Sequence, residues 1–271
     1  VRRRLLLLRV AVALVAGIPA ARAAFERPAL VPAGVALGRA AVAHGDAPTS
    51  EDVNPAALEG AGWVALAYAN PFGVDGLAEQ SVRAGLPVGS VLAVRVAWQR
   101  FGNDAHTEDT SAATVRVAGR GLSAGLRGAL RARRTEGFSG AQSATMDVGV
   151  LWRAGPGLSV GAAAQRLGER DAGPGQMLRV GARTEMSPVS ALLADVTRSV
   201  AGTNVAVGGE WRPHEWLTLR AGVHDGPWQW AMGFTVRIRG LGLDYALETH
   251  PALDPTHLVA LVFRGLGPSA P

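Results

Sequence analysis

Side chains able to carry chemistry are few and dispersed in this sequence. Six histidines stand at positions 44, 106, 214, 224, 250 and 257, and no two have zinc-site spacing with a third ligand nearby. Cysteine is absent, which removes disulfides, thiolate metal ligands and a lipid-modified N-terminal cysteine. Neither a Gly-x-Ser-x-Gly elbow nor a phosphate-binding loop occurs. His250 with Ser199, or His106 with Asp104 and Asp109, are the sets from which a hydrolytic site could be drawn, and solvated loop positions explain them more simply. The expectation is a non-enzyme with no catalytic residues, no metal and no cofactor.

What remains is charge and its spacing. The net charge is +5, and every basic side chain other than histidine is arginine. A nucleic-acid binder gathers such charge on one face or arm, whereas here arginines recur at alternate positions through most of the chain. The nearest approach to a cluster, Arg131, Arg133 and Arg134, falls between two strand-like segments and reads as a solvated loop. Nucleic acid is therefore not an expected partner. The alternating set comprises Arg83, Arg95, Arg116, Arg127, Arg131, Asp147, Arg153, Arg179, Arg183, Glu185, Glu210, Arg220, Arg237, Asp244 and Glu248. If this parity faces a lumen, its interspersed signs allow two roles. One is a selectivity lining that favours anions; the other is a ladder of cross-strand ion pairs that stiffens the wall.

The elements that must position these residues follow from the same periodicity. In 228–239, Trp228, Trp230, Met232, Phe234, Val236 and Ile238 hold one parity, and Gln229, Ala231, Gly233, Thr235, Arg237 and Arg239 hold the other. Alternate residues of a strand share a face, so only a strand gathers those six large side chains on one side. The same pattern recurs at 90–101, 142–153, 176–186 and 241–248, with Leu151 an exception, while 189–198 keeps its length and blurs its parity. Fourteen strands are expected, at 61–69, 79–87, 90–101, 110–119, 121–132, 142–153, 158–167, 176–186, 189–198, 204–212, 216–224, 228–239, 241–248 and 256–264. Most have the length of a tilted strand crossing a bilayer. Short connections alternate with longer ones rich in Gly, Pro, Asp and Asn, as in a barrel with tight turns at one end, except that Ser199–Thr203 and Asp225–Pro227 are short where long ones are expected.

Alternation alone fits both a soluble all-β protein, with the apolar parity inward, and a membrane barrel, with that parity facing lipid. The polar parity, rich in Gly, Ala and Arg, favours the membrane form. So do Trp98, Trp152, Trp211 and Trp228, which fall near strand ends where indoles prefer the bilayer interface. A closed barrel also leaves no sheet edge exposed. The expected fold is all-β, a transmembrane antiparallel barrel of about fourteen strands, with outer-membrane lipid as its surroundings.

At the N-terminus, Arg2, Arg3 and Arg4 precede an apolar stretch and Ala21-Arg22-Ala23, the layout of a secretory signal peptide. The expected organisation is a signal peptide at 1–23, a periplasmic or plug segment at 24–60, a barrel at 61–264 and a tail at 265–271.

Ahead of the first strand stand Ala36-Leu37-Gly38, Ala40-Ala41-Val42-Ala43, Asp46 and Asn54-Pro55-Ala56-Ala57-Leu58. This order resembles the N-terminal segment of the PorV/PorQ group of outer-membrane proteins, itself similar to FadL-type transporters of hydrophobic compounds. Glu210-Trp211-Arg212-Pro213, Leu219-Arg220-Ala221-Gly222, Asp244-Tyr245-Ala246 and Thr256-His257 extend the resemblance to the C-terminal end. Arg39 departs from it, standing where the group often has methionine. The resemblance implies a barrel of the bacterial outer membrane whose N-terminal segment packs in the lumen as a plug, with Asn54, Pro55, Ala56, Ala57 and Leu58 in that plug. It further implies transport of a small hydrophobic ligand or, as the alternative, a structural barrel that docks a protein of a secretion or envelope complex.

Overall fold

The structure, a computed structural model, describes residues 31–45, 50–57, 62–168 and 175–265. The expected signal peptide, Leu58 and the tail beyond Gly265 lie outside them.

Fourteen strands follow one another: β1 (Trp63–Asn70), β2 (Ala78–Val88), β3 (Leu92–Gly102), β4 (His106–Gly119), β5 (Leu122–Thr135), β6 (Ala141–Gly155) and β7 (Leu158–Leu167), then β8 (Met177–Ser187), β9 (Ser190–Ser199), β10 (Gly202–His214), β11 (Leu217–His224), β12 (Gln229–Ile238), β13 (Leu241–Glu248) and β14 (Thr256–Arg264). Each pairs antiparallel with its neighbours in sequence, and β1 closes the ring on β14 in a register running from Trp63 opposite Arg264 to Asn70 opposite His257. No strand edge is left open.

Tight connections close every hairpin at one end of the barrel; at the other end β9–β10, linked by Val200 and Ala201, is as short. The β4–β5 hairpin turns on Arg120 and Gly121, both with positive φ (51° and 80°), the backbone of a two-residue turn that matches strand twist. The opposite end carries the longer links. Two of these are shorter than the sequence suggests: β4 already begins at His106, β5 runs on to Thr135 and β6 starts at Ala141. The polar residues that read as loops here are paired ribbon. Arg100 binds Asp109 through two hydrogen bonds of 2.8 and 3.1 Å, and His106 Nδ1 lies 2.8 Å from Thr135 Oγ1. Beyond the apolar band both faces meet water, so pairing continues while the alternation that reveals a strand disappears.

Burial decides which parity faces outward. Val115, Leu126, Leu130, Met146, Val150, Leu192, Val207 and Met232 are exposed on the outer wall, whereas Arg83, Arg95, Arg127, Asp147, Glu210 and Asp244 are buried within. An exposed apolar surface running round the barrel far exceeds the patches that monomeric soluble proteins leave open. The fold is a transmembrane barrel, with lipid-facing aliphatics and an interior of charge. No helix among the described residues is long and apolar enough to cross a membrane.

Leu126 sits midway along the outer face of β5, flanked across the strands by Val115 and Val148. Leu126→Arg is expected to cost roughly 2–4 kcal/mol in lipid vesicles, read as a lower urea midpoint for unfolding. On a water-facing surface the same change would be close to neutral.

Candidate functional site

Of the chain before β1, residues 31–45 and 50–57 lie inside the barrel. A short helix, α1 (Pro32–Ala36), starts with proline in its first turn, where a missing N–H costs nothing. It ends at Gly38 and Arg39, both left-handed (φ 61° and 68°), which turn the chain across the lumen. Val35 and Ala36 pack on Ala69, Ala231, Ala246 and Leu258 of the wall, and Leu37 and Ala40 pack on Leu193. A 3-10 turn, Pro55–Ala57, places Ala56 and Ala57 with Ala43 against Leu151. Leu151 and Leu193 are thus apolar on the inward parity because each meets this segment. The irregular parity of 142–153 and 189–198 has that cause.

Close approach of two backbones requires a wall without side chains. Gly125 and Gly149 are directly paired on β5 and β6, Gly161 and Gly181 on β7 and β8, and Gly208 and Gly222 on β10 and β11. A Cβ at Gly125 would enter the Pro55 carbonyl, one at Gly149 the Asn54 side chain, and one at Gly161 the Val42 carbonyl. At Gly208 and Gly222 it would enter the backbone of Leu37. These glycines form a track along which the segment is seated.

Irregular backbone buried in this way must find partners for its polar groups. Asp195 Oδ2 accepts the N–H groups of Ala41 and Val42 at 2.7 and 2.8 Å. Asn54 donates from Nδ2 to the carbonyls of Val42 (2.9 Å) and Val150 (3.0 Å), while its Oδ1 accepts the N–H of Ala56 at 3.0 Å. Asparagine supplies two donors and an acceptor on one short arm, and all are used here.

Ion pairs anchor the segment at both ends. Arg95 lies 2.8 Å and Arg83 3.2 Å from the carboxylate of Asp52. At the other end Arg39 grips Glu248 through two hydrogen bonds of 2.8 Å, and His44 Nε2 stands 3.3 Å from Glu210. Burial by itself would raise the Asp52 carboxyl; Arg83, Arg95 and Arg127 overcome that and hold it well below the usual carboxylate range.

Of the wall residues singled out in the sequence, Arg83, Arg95, Arg127, Arg131, Asp147, Arg179, Arg183, Glu210, Arg220, Asp244 and Glu248 are buried inside, and Arg116 and Arg237 half-buried. Arg153 and Glu185 are exposed at the end with tight turns. Arg127 pairs with Asp147 at 2.7 Å, and Arg220 with Glu210 at 2.9 Å. Arg220 also donates to Thr235 Oγ1, which donates to Asp244. Asn54, Pro55, Ala56 and Ala57 are buried in the inner segment. Arg39, His44, Asp52 and Asp195 belong to the same network and were not foreseen. The apolar residues interrupting the polar parity are the signal that would have pointed to them.

Trp152, Trp211 and Trp228 are exposed, and Trp98 is half-buried under the Arg100 guanidinium, 5.5 Å from its ring. Trp216 and Trp230 join them on the outside, whereas Trp63 is fully buried within, beside Ala65, Ala93 and Val262. No group of three or more metal-ligating side chains occurs among the described residues.

No protein-family model and no curated protein matches the chain. Among solved structures, the chain is similar to the CymD monoaromatic hydrocarbon channel, with a TM-score of 0.64 at 13% identity over 89% of this chain and 98% of that one. A mutant porin of Rh. blastica aligns at a TM-score of 0.46 and 10% identity, over 76% of this chain and 99% of the porin. At that identity the first likeness is one of fold alone.

Because the folded-state pKa of Asp52 is depressed, its anchoring is complete above the ordinary carboxylate range and is lost only as pH falls well below that range. The contribution of Asp52 to folding stability is therefore expected to be the same at about pH 7 and about pH 5. Asp52→Asn, which leaves Arg83 and Arg95 uncompensated, is expected to lower the urea midpoint for unfolding by the same amount at both.

Proposed function

We propose that this protein is an outer-membrane channel for small hydrophobic compounds, kept shut by the segment 31–57. One observation carries the reading: a fourteen-stranded barrel holds a stretch of chain against a glycine track that fits its backbone. A wall shaped to an internal segment is what a hatch requires. The charged lumen around it supplies water and ion pairs rather than an apolar conduit, so the hydrophobic solute is taken to move beside the segment once it shifts. The likeness to a monoaromatic hydrocarbon channel supports the class of solute.

The same reading makes residues 1–23 an export signal and outer-membrane lipid the partner of the apolar wall. PorV/PorQ kinship is supported by the place of Asn54, Pro55 and Ala56, which lie in the inner segment as that kinship implies. A second reading, a docking barrel of a secretion or envelope complex, draws on the double anchoring through Asp52 and Arg39, which favours a lumen that stays closed. The lumen-lining arginines and acids then serve as a stiffening ladder.

Planar-bilayer recording on the purified chain separates the two. Gly149→Leu drives a side chain into the seat of Asn54 and Pro55, and at least a tenfold rise in conductance is expected, with faster toluene entry into proteoliposomes. A folded variant that stays silent and admits no more toluene than empty vesicles would end the channel reading in favour of the docking barrel.

A further inference from the structure

The inner wall carries a second charge pattern beyond the glycine track on which the segment is seated. Every even-numbered strand from β4 onward runs towards the end with tight turns and carries an arginine of inward parity close to that end. These are Arg116, Arg153, Arg183, Arg212, Arg237 and Arg264. Among the described residues the acids at this end are Glu185, Glu210 and, exposed in the β10–β11 turn, Glu215; Glu210 is already shared among His44, Arg212 and Arg220. The mouth is therefore cationic, while Glu79, Glu108 and Glu248 lie towards the other end.

Within this ring, Arg153, Ser159, Arg183 and Glu185 border a polar cavity of about 110 Å³, roofed by Gly45 of the inner segment. Arg153 lies opposite Ser159, and Ser159 opposite Arg183, so the three side chains stand in one cross-strand row. The Arg183 side chain is only 7% exposed; Nη1 donates to Glu185 at 2.9 Å, but its Nε has no partner. Arg153 has no carboxylate partner among the described residues, and Arg116 stands close enough to repel it. A buried guanidinium donor left open beside a polar cavity, with a second, exposed arginine across it, calls for an acceptor with negative charge. The cavity has room for one oxyanion, since a water molecule takes ~30 Å³.

We infer that the mouth at the tight-turn end is an oxyanion site, binding a phosphate or carboxylate between Arg153, Ser159 and Arg183. The planar forks of the two arginines suit two oxygens each, and the Ser159 hydroxyl supplies a further donor. The oxyanion is either a free solute or the headgroup phosphate of a phospholipid. The site lies apart from the glycine track, where Gly125 and Gly149 face Asn54, Pro55 and Ala56; the inner segment borders it at Gly45, beside Arg153 Nη2, and phosphate binding is read without reference to conductance.

The test is phosphorus NMR titration of inorganic phosphate into the full chain in non-ionic detergent at low salt. Saturable line broadening in the millimolar range is expected. Arg153→Gln and Arg183→Gln should each weaken it at least tenfold, and Arg212→Gln, in the ring but outside the cavity, less than about twofold. Heat-modifiable gel migration verifies folding, and Ser159→Ala and Arg153→Lys, milder changes, are expected to weaken binding about threefold if the glutamine variants do not fold. Native mass spectrometry of protein extracted from membranes separates the sources. One retained phospholipid, lost in Arg153→Gln, assigns the headgroup; phosphate binding without retained lipid assigns the solute. Absence of both saturable phosphate binding and retained lipid, or equal binding in wild type and folded variants, would overturn the site.

Discussion

A bilayer interior offers no water to an unpaired backbone, so a sheet that crosses it must close on itself. Pairing of β1 with β14 along the whole of β1 meets that demand, and much else follows from it. An even number of antiparallel strands brings both ends of the barrel chain to the end with tight turns. Each strand also separates two environments. Aliphatic side chains therefore serve on the outside and arginine, aspartate and glutamate on the inside, the reverse of a water-soluble barrel.

Closure with fourteen strands creates a second requirement. About eight strands enclose a space that side chains alone can fill, and sixteen or more leave an aqueous channel. Here the chain itself occupies the interior. Residues 31–45 and 50–57 have little regular structure to satisfy their own N–H and C=O groups, so Asp195 of the wall accepts two of the N–H groups, and Asn54, tied to the wall at the Val150 carbonyl, serves the Val42 carbonyl and the Ala56 N–H. Backbone reaches backbone only where the wall lacks Cβ atoms, which places paired glycines on adjacent strands. Stiffness of the wall and shape of the seat are thus two aspects of one surface.

Charge in this interior is governed by pairing rather than by sign. An isolated ion in such a place is costly, and a hydrogen-bonded pair offsets most of that cost. Arg127 with Asp147, and Arg220 with Glu210 and Thr235, satisfy one another across neighbouring strands. Asp52 and Arg39 use the same chemistry to join the segment to the wall. Removal of one partner leaves a buried charge behind, so these contacts secure a particular placement more than they add stability. Arg39, where methionine is common in the group this sequence resembles, has its reason in Glu248.

Strand count, strand order and the two-sided character of the wall were legible in the sequence, because a period of two is a local property that survives without knowledge of the fold. The β4 and β5 ends were misjudged where the ribbons leave the apolar band and both faces become polar. Leu151 appeared only as an interruption, Leu193 only within a segment of blurred parity, Arg39 only as a departure from methionine, and Asp195 not at all. Their roles exist only across the lumen: Arg39 and Glu248 are 209 residues apart, and Ala41 and Asp195 are 154 apart. Alternation tells each residue which side of the wall it faces. Which residue it meets there is set by register and closure around the whole ring, and that was decided by the tertiary structure alone.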